Sequence, residues 1–118
     1  MQFATLLTFV GASLLAATGV QAGNYGATCS GTTLQGNNIM FATCANGSGS
    51  NIRSSLDLNA CIVNNGGTLG CQANGNYAVS CTSCSVSGTT MTCTCTGRRS
   101  SINLNNCVTN RNGILTCP

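Results

Sequence analysis

Residues 54–71 read SSLDLNACIVNNGGTLGC, and residues 100–117 repeat this pattern as SSINLNNCVTNRNGILTC. In each copy, a run rich in Ser, Asp and Asn carries an apolar residue at every second position. This pattern indicates a half-buried tight turn or a single helical turn. Two short β-capable runs follow, separated by Asn and Gly residues that tolerate positive φ. Each copy therefore predicts a turn followed by a β-hairpin, with a cysteine just outside each arm.

The repeat extends towards the N-terminus of both copies. Residues 24–29 (NYGATC) resemble residues 76–81 (NYAVSC), which lie 52 positions later. The runs around Gly36 and Gly88 are flanked by Thr, Ser and apolar residues, as expected of two strands joined by a glycine turn. Each half therefore reads as two strands, a polar loop, a tight turn and a hairpin. Neither half has enough apolar residues to form a core alone, so the two copies are predicted to make one domain.

The two copies differ in the length of one loop. Cys44 and Cys95 lie 51 positions apart, whereas the offset between the copies is 46 from Leu56 and Ile102 onwards. The second copy has therefore lost five residues between Cys95 and Ile102.

The first 22 residues are predicted to be a secretory signal peptide. An apolar stretch from Leu6 to Ala17 precedes Val20-Gln21-Ala22, a small-residue cleavage pattern, so cleavage is expected after Ala22. A membrane anchor is the alternative, but Thr, Gly and Ser residues dilute the apolar run. The secreted domain would span residues 23–118, with repeat one at about 23–75 and repeat two at about 76–118.

Composition restricts the class of protein further. Ten cysteines, all after residue 22, indicate an extracellular disulfide scaffold. The net charge is +3, and it comes from four arginines against the single carboxylate of Asp57. So few cations argue against a nucleic-acid partner on electrostatic grounds. Of the arginines only Arg98 and Arg99 are adjacent, and this pair is interpreted as a solvated turn.

The cysteines are expected to form five disulfides, although sequence alone does not fix the pairing. Repeat symmetry suggests links across paired strands and across hairpins, with a fifth across the Gly88 turn. The predicted pairs are Cys29–Cys44, Cys81–Cys95, Cys61–Cys71, Cys107–Cys117 and Cys84–Cys93. In a regular antiparallel hairpin, the residue numbers of every opposite pair add up to the same value. The sums for Cys81–Cys95 and Cys84–Cys93 differ by one, so one strand is expected to contain an extra residue, a β-bulge. The alternative for residues 81–95 is a Cys₄ zinc site, which an oxidising compartment disfavours.

Missing residue types argue against catalysis. The sequence contains no His and no Glu, so neither a His-dependent triad nor a carboxylate pair can be assembled. Asp57 precedes the turn in the first copy, and Asn103 takes its place in the second. A position that accepts either residue is typical of side chains that cap backbone N–H groups. The sequence predicts that the protein is not an enzyme.

The twofold pattern C…G…C…S-S-[LI]-[DN]-L-N…N-x-x-G-x-L resembles the cyanovirin-N homology domain, a sugar-binding module. The resemblance covers essentially all of residues 23–118, and the signal peptide and extra cysteines are similar to the secreted filamentous-fungal branch. It implies an all-β, pseudo-symmetric fold of two intertwined repeats, each with a three-stranded sheet, short helical turns and a β-hairpin that packs on the other half. It also implies a lectin that binds α-mannose-containing oligosaccharides without metal or cofactor, through shallow pockets at the two ends.

The resemblance places the first pocket at the chain start, the loop after Cys44 and the second hairpin. Its predicted members are Asn24, Thr28, Ala45, Asn46, Gly47, Ser48, Thr109, Asn110, Arg111 and Asn112. The alternative for Asn110 and Asn112 is that they only form the turn. Asn46-Gly47-Ser48 is also a sequon, which is either occupied by a glycan that would block this pocket or left unmodified.

The second pocket would lie at the first hairpin, the linker before the second repeat and the loop after Cys95. Its predicted members are Asn64, Asn74, Asn76, Ser80, Thr96 and Arg98. Here the chain departs from the family, because the loop is shortened and Val63 and Val79 are apolar where polar groups are usual. We expect this pocket to be lost or changed in specificity.

The leading hypothesis is a secreted lectin whose partners are mannose-containing glycans or glycoproteins, with no membrane insertion after signal cleavage. The rival hypothesis is a secreted, disulfide-stapled structural or interaction protein, or effector, that has lost sugar binding. The scarcity of aromatic and charged residues, which usually supply binding hot spots, favours the rival. A monomer is expected, with a domain-swapped dimer as the alternative.

Overall fold

Four small antiparallel sheets and four single 3₁₀ turns make up the part of the chain that the structure describes. The structure is a computed structural model, and it describes residues 23–118; the predicted signal peptide lies outside these residues. The first sheet has the order β1-β2-β3 and the second the order β6-β7-β8, while β4-β5 and β9-β10 are hairpins. The strands are β1 Cys29–Gln35, β2 Ile39–Ala45, β3 Asn51–Asp57, β4 Ile62–Asn65, β5 Thr68–Cys71, β6 Cys81–Ser87, β7 Thr90–Cys95, β8 Arg98–Asn103, β9 Thr109–Arg111 and β10 Ile114–Thr116. The 3₁₀ turns are η1 Tyr25–Ala27, η2 Leu58–Ala60, η3 Tyr77–Val79 and η4 Leu104–Asn106.

The predicted single helical turn is present in each quoted stretch as a capped 3₁₀ turn, η2 or η4. Contrary to expectation, the Ser-rich residues before it are not part of the turn but form the end of strand β3 or β8. The Asp57 side chain accepts a hydrogen bond from the backbone N–H of Asn59 at 3.0 Å. The Asn103 side chain accepts the equivalent bond from Asn105 at 2.9 Å. Both residues therefore satisfy a backbone donor that the short turn leaves open.

Each hairpin packs against the sheet of the other repeat. The backbone N–H of Leu115 in hairpin β9-β10 donates to Ser54 Oγ in β3, at 3.0 Å. The backbone N–H of Leu69 in hairpin β4-β5 donates to Ser100 Oγ in β8, also at 3.0 Å. The two repeats are thus intertwined, and the all-β, pseudo-symmetric fold implied by the resemblance is confirmed.

The core runs through both repeats and is built from equivalent residues of each. Its largest buried side chains form four pairs across the pseudo-twofold axis: Tyr25 and Tyr77, Met40 and Met91, Leu58 and Leu104, Ile62 and Val108. The molecule extends over 45 × 35 × 22 Å, so it is elongated. Within residues 23–118, no helix is both long enough and apolar enough to cross a membrane.

The loop between the second and third strands of each sheet differs as predicted. Cys44 pairs with Ile52 across a loop at residues 46–50, whereas Cys95 pairs with Arg98 across only two residues. Both sheets also contain a bulge in their first strand, and the one between Thr82 and Ser85 is the predicted one.

Three of the five disulfides are the predicted pairs within sheets, and they are Cys29–Cys44, Cys81–Cys95 and Cys84–Cys93. Because the four cysteines of residues 81–95 are in disulfides, they are not a zinc site. Among the described residues, no cluster of three or more His, Cys, Asp or Glu could hold a metal ion.

The predicted hairpin disulfides Cys61–Cys71 and Cys107–Cys117 are wrong. The structure instead pairs Cys61 with Cys117 and Cys71 with Cys107, each with a Cα–Cα distance of 5.3 Å. The reason is the register of the hairpin, in which Ile62 and not Cys61 is opposite Cys71. Side chains alternate between the two faces of a strand, so Cys61 and Cys71 point to opposite faces. Both hairpins are therefore linked to each other rather than closed on themselves.

Candidate functional site

One asparagine side chain ties together three segments at the end of the molecule near hairpin β9-β10. Asn110 Nδ2 donates to Thr28 Oγ1 and to the backbone oxygen of Ala45, both at 2.9 Å. Asn110 Oδ1 accepts from the backbone N–H of Gly113 at 2.7 Å. The chain start, the loop after β2 and the hairpin turn are thereby held in fixed positions. Asn110 does more than form a turn, because two of its three partners belong to other segments.

The loop at residues 46–50 is folded on its first side chain. Asn46 Oδ1 accepts from the backbone N–H groups of Ser48 at 2.9 Å and Ser50 at 3.1 Å. The loop is also joined to the hairpin, because Asn112 Oδ1 accepts from the backbone N–H of Gly47. Asn112 adopts φ 54°, a left-handed conformation that asparagine tolerates better than most residues.

The chain start completes this end of the molecule. Asn24 forms an isolated antiparallel bridge with Thr109, and its backbone N–H donates to the Asn105 oxygen at 2.7 Å. Asn24, Ser48 and Arg111 are exposed around the loop and the hairpin. The structure therefore brings the ten predicted residues of the first pocket to one end. We call them the first end cluster, comprising Asn24, Thr28, residues 45–48 and residues 109–112; their role in binding stays a prediction.

The opposite end repeats the central asparagine. Asn64 Nδ2 donates to Ser80 Oγ at 2.8 Å and to Thr96 Oγ1 at 3.0 Å. Asn64 Oδ1 accepts from the backbone N–H of Gly67 at 2.7 Å. Asn64, Ser80, Thr96 and the neighbouring Arg98 form the second end cluster.

The second end cluster lacks the loop that borders the first. Thr96 and Gly97, with φ 50° and 79°, form a tight two-residue turn in place of residues 46–50. The Arg98 stem lies over the first hairpin turn, where a Cβ added to Gly67 would be 2.3 Å from Arg98 Cδ. The aliphatic part of Arg98 is therefore used in packing, and Val79 beside Ser80 is 85% exposed.

The two remaining residues predicted for the second pocket make backbone contacts. Asn76 forms an isolated bridge with Val63, which is equivalent to the bridge of Asn24 with Thr109. The backbone N–H of Asn74 donates to the Ala60 oxygen at 2.9 Å. Neither side chain joins the hydrogen-bond network around Asn64 among the described residues.

Two arginines that the sequence analysis did not assign to a site support the strand bulges. Arg53 donates to the Gly31 oxygen at 2.9 Å and to Thr33 Oγ1 at 3.0 Å, and it lies 5.8 Å from the centroid of the Phe41 ring. Arg99 donates to the Ser83 oxygen at 3.5 Å in the second repeat. Arg99 is thus a strand residue that contacts a bulge. Arg98 and Arg99 are exposed, as predicted, but their assignment to a turn is wrong, because they begin strand β8. The 46-residue offset between the two arginines was the signal for this shared role.

The buried tyrosines stay protonated under physiological conditions. Burial raises the pKa of Tyr25, and a hydrogen bond with Thr32 partly offsets that shift. Burial also raises the pKa of Tyr77, and the nearby charge of Asp57 raises it further. Both hydroxyls are therefore neutral hydrogen-bonding groups of the interior.

Comparison with known proteins identifies relatives of the whole described domain. A family model of the CVNH domain matches residues 25–116. The fold is similar to a MoCVNH3 variant solved in complex with (N-GlcNAc)4, with a TM-score of 0.76 and 20% identity over 85% of this chain and 100% of that one. It is similar to the CVNH of T. borchii, with a TM-score of 0.71 and 30% identity over 80% of this chain and 99% of that one. It is also similar to microvirin, solved in complex with mannobiose, with a TM-score of 0.60 and 22% identity over 80% and 98% of the two chains. No curated protein matches the sequence.

Proposed function

Because this chain belongs to the CVNH domain family, we propose that it is a carbohydrate-binding protein and that the first end cluster is its principal binding site. The observation that carries this proposal is the Asn110 network, which holds three polar segments together at one end of the molecule. A site whose parts are already fixed loses less conformational entropy when a ligand binds. The polar character of the cluster, with Arg111 as its only charged side chain, suits a ligand rich in hydroxyl groups.

The proposed ligand is a mannose-containing oligosaccharide. Two similar proteins were solved with sugars, one with mannobiose and one with (N-GlcNAc)4, so an N-acetylglucosamine oligomer is the competing ligand. Each hydrogen bond to a sugar hydroxyl contributes about 1 kcal/mol net, so a single shallow site binds weakly. We further propose that the protein is secreted and that it binds glycans or glycoproteins without catalysing a reaction.

The second end cluster is proposed to contribute little. It keeps the central Asn64 but has only a two-residue turn in place of residues 46–50, and Arg98 is packed over the hairpin turn. A ligand at this end would therefore lack the contacts that a loop equivalent to residues 46–50 could make. If neither end binds sugar, the rival proposal of an interaction protein on the same scaffold gains support.

The test is a titration of oxidised, unglycosylated protein with α1,2-linked mannobiose and, separately, with the N-acetylglucosamine tetramer, followed through amide resonances. The unglycosylated form is needed because the Asn46 sequon lies inside the first end cluster. We expect mannobiose to shift the resonances of residues 24–28, 45–48 and 109–112. Shifts caused only by the tetramer would overturn the mannose assignment, and no shift with either sugar would overturn the lectin function.

A matched pair of substitutions assigns the binding to one end. Arg111→Ala removes an exposed side chain of the first end cluster, and Asn65→Ala changes the equivalent exposed position in the other hairpin. We expect Arg111→Ala to weaken mannobiose binding roughly tenfold, because a charge-assisted hydrogen bond is lost. Asn65→Ala should leave binding unchanged. Equal losses in both variants would show that the first end cluster is not the principal site.

A further inference from the structure

We propose that a third binding site, which accepts a single neutral sugar ring, lies at the waist between the two repeats. The site is a cavity of about 340 Å³ between strand β1 and the turn that joins β6 to β7. Its lining residues are Cys29, Ser30, Gly31, Thr32, Gly88 and Thr89. We call it the waist cavity, and it shares no residue with either end cluster.

The waist cavity has its origin in a difference of one residue between two turns. Three residues, 36–38, join β1 to β2, whereas only Gly88 and Thr89 join β6 to β7. Asn38 and Thr89 are equivalent, because their backbone oxygens accept from Leu58 and Leu104 at 2.8 Å in each repeat. The extra residue of the longer turn is therefore Asn37.

Asn37 fills the corresponding space on the other side of the molecule. Its Oδ1 accepts from the backbone N–H of Cys84, in the bulge of β6, at 3.0 Å. Its backbone oxygen accepts from the hydroxyl of Tyr77. On that side, one residue of the long turn thus closes the contact between the two repeats.

The short turn provides no such residue on the side of β1. Thr32 is the bulge residue equivalent to Cys84, and its Oγ1 is hydrogen-bonded to the hydroxyl of Tyr25 at 3.0 Å. Tyr25 therefore bonds to the bulge itself, whereas Tyr77 bonds to the opposite turn. Within residues 23–118, no side chain of the Gly88-Thr89 turn bonds to the bulge of β1, and the space that Asn37 would fill stays open.

The lining determines the class of ligand. The hydroxyl groups of Ser30 and Thr89 can both donate and accept hydrogen bonds, which matches the hydroxyl groups of a sugar. Thr32 Oγ1 is already bonded to the Tyr25 hydroxyl, but a hydroxyl oxygen can take part in a further hydrogen bond. The six lining residues include no ionisable side chain, since Cys29 is in a disulfide. The nearby Arg53 has its guanidinium engaged with the Gly31 oxygen and with threonine hydroxyls. A volume of 340 Å³ lies at the lower end of the range for ligand pockets, which suits one ring rather than a chain.

The experiment is an amide-resonance titration of the oxidised, unglycosylated protein with methyl α-mannopyranoside and N-acetylglucosamine up to roughly 100 mM, because so small a ligand binds at best near the millimolar range. Glycerol and inorganic phosphate are titrated in parallel. We expect saturable shifts at Ser30, Gly31, Thr32 and Thr89 with at least one sugar. Shifts with phosphate alone, or equal shifts with glycerol, would overturn the proposed ligand class.

A variant based on the longer turn of the first repeat tests whether the short Gly88-Thr89 turn is the reason for the cavity. Inserting an asparagine between Gly88 and Thr89 makes the turn equal in length to residues 36–38, and it should abolish the shifts at the waist cavity. Ser30→Ala keeps the cavity open and should weaken binding there roughly two- to tenfold through the loss of one hydrogen bond. Ser87→Ala, on an exposed strand position outside the lining, is the matched control and should change nothing.

The outcomes separate this proposal from the proposed function. Shifts at the first end cluster without shifts at the waist cavity would overturn the third site and leave the lectin function standing. Shifts at the waist that persist after the asparagine insertion would also overturn it. Shifts confined to the waist would support the third site and contradict the assignment of the first end cluster, whereas no response at either place would overturn both.

Discussion

At the scale of single residues, the only carboxylate side chain of the protein is used for structure. Asp57 Oδ1 accepts from the backbone N–H of Asn59 and from Asn38 Nδ2, both at 3.0 Å. Its equivalent, Asn103, accepts from the backbone N–H of Asn105 with a neutral oxygen. The pair indicates that the position requires an acceptor and does not require a charge.

Substitutions of Asp57 should therefore separate hydrogen bonding from charge. We expect Asp57→Ala to lower the free energy of unfolding by about 1 kcal/mol, as is typical when a capping side chain is removed. Asp57→Asn should stay close to the native value, because Asn103 performs the same role. Denaturant unfolding measures the free energy of unfolding of both variants. Asn103→Ala removes the equivalent capping side chain in the other repeat and should show a similar loss. Equal destabilisation by Asn and Ala at position 57 would show that the charge is what matters.

The buried tyrosines predict how stability depends on pH. The pKa of Tyr77 is raised by burial and by the charge of Asp57, so the folded protein holds this proton more tightly than the unfolded chain does. The stabilisation of the folded protein that comes from this Tyr77 proton is fully present below the usual tyrosine pKa of about 10, and it is lost as the pH rises above that value. We expect the melting temperature to fall steeply above pH 10. Tyr77→Phe should melt lower at neutral pH, because it loses the bond to the Asn37 oxygen, but its alkaline decline should be shallower. Parallel declines in the two proteins would contradict this account.

At the scale of elements, turns, hairpins and the shortened loop could be predicted because each has a local signal. The glycine and asparagine positions marked the turns, and the change of offset between the copies marked the loop. The pairing of the hairpin cysteines could not be predicted in this way. Repeat symmetry maps Cys61 onto Cys107 and Cys71 onto Cys117, so it is satisfied both by pairs within hairpins and by pairs between them. Only the register of Ile62 with Cys71 decides, and a register shift of one residue is not visible in the sequence.

The disulfides between hairpins should stabilise the protein more than the short ones do. Cys61–Cys117 spans 56 residues and Cys84–Cys93 spans 9. In the chain-entropy description, the cost depends on the loop that the remaining disulfides leave open. Cys71–Cys107 limits the loop of Cys61–Cys117 to roughly 20 residues, so its removal by paired Cys→Ala substitution costs about 3 kcal/mol. Cys84–Cys93 lies inside the loop of Cys81–Cys95, so its removal costs about 2 kcal/mol. Denaturant unfolding of the two variants gives the comparison, and non-reducing peptide mapping checks the pairing itself. Recovery of a peptide that joins Cys61 to Cys71 would show that the structural assignment is wrong.

At the scale of the whole molecule, the two ends of the protein share a framework and differ in what surrounds it. Asn64 and Asn110 make equivalent bonds in the two repeats, and this equivalence could be predicted from the 46-residue offset. The shorter turn is visible in the sequence as a change of offset from 52 to 51 between Gly88 and Cys95, but the waist cavity could not be predicted from it. The consequence of the shorter turn appears only where the other repeat packs against it. Positions within one repeat are therefore encoded locally, whereas contacts between repeats depend on the assembled fold.

The intertwined arrangement also predicts the oligomeric state. Each hairpin packs on the sheet of the other repeat, so two chains could exchange halves and keep the noncovalent contacts between hairpin and sheet. In the oxidised protein, Cys61–Cys117 and Cys71–Cys107 join the hairpins within one chain. Exchange would require both bonds to form between chains, at a lower effective concentration than within a chain. We therefore expect the native protein to be a monomer.

Replacement of all four hairpin cysteines by alanine should remove this restriction while the three disulfides within the sheets remain. We expect the variant to form dimers whose fraction rises with the protein concentration during refolding, since exchange then costs only the association entropy of two chains. Sedimentation velocity measures the fraction, and a variant that lacks only Cys84 and Cys93 is the control, which should stay monomeric. A native protein that sediments as a dimer, or a four-alanine variant that stays monomeric at every concentration, would show that the hairpin disulfides do not determine the oligomeric state.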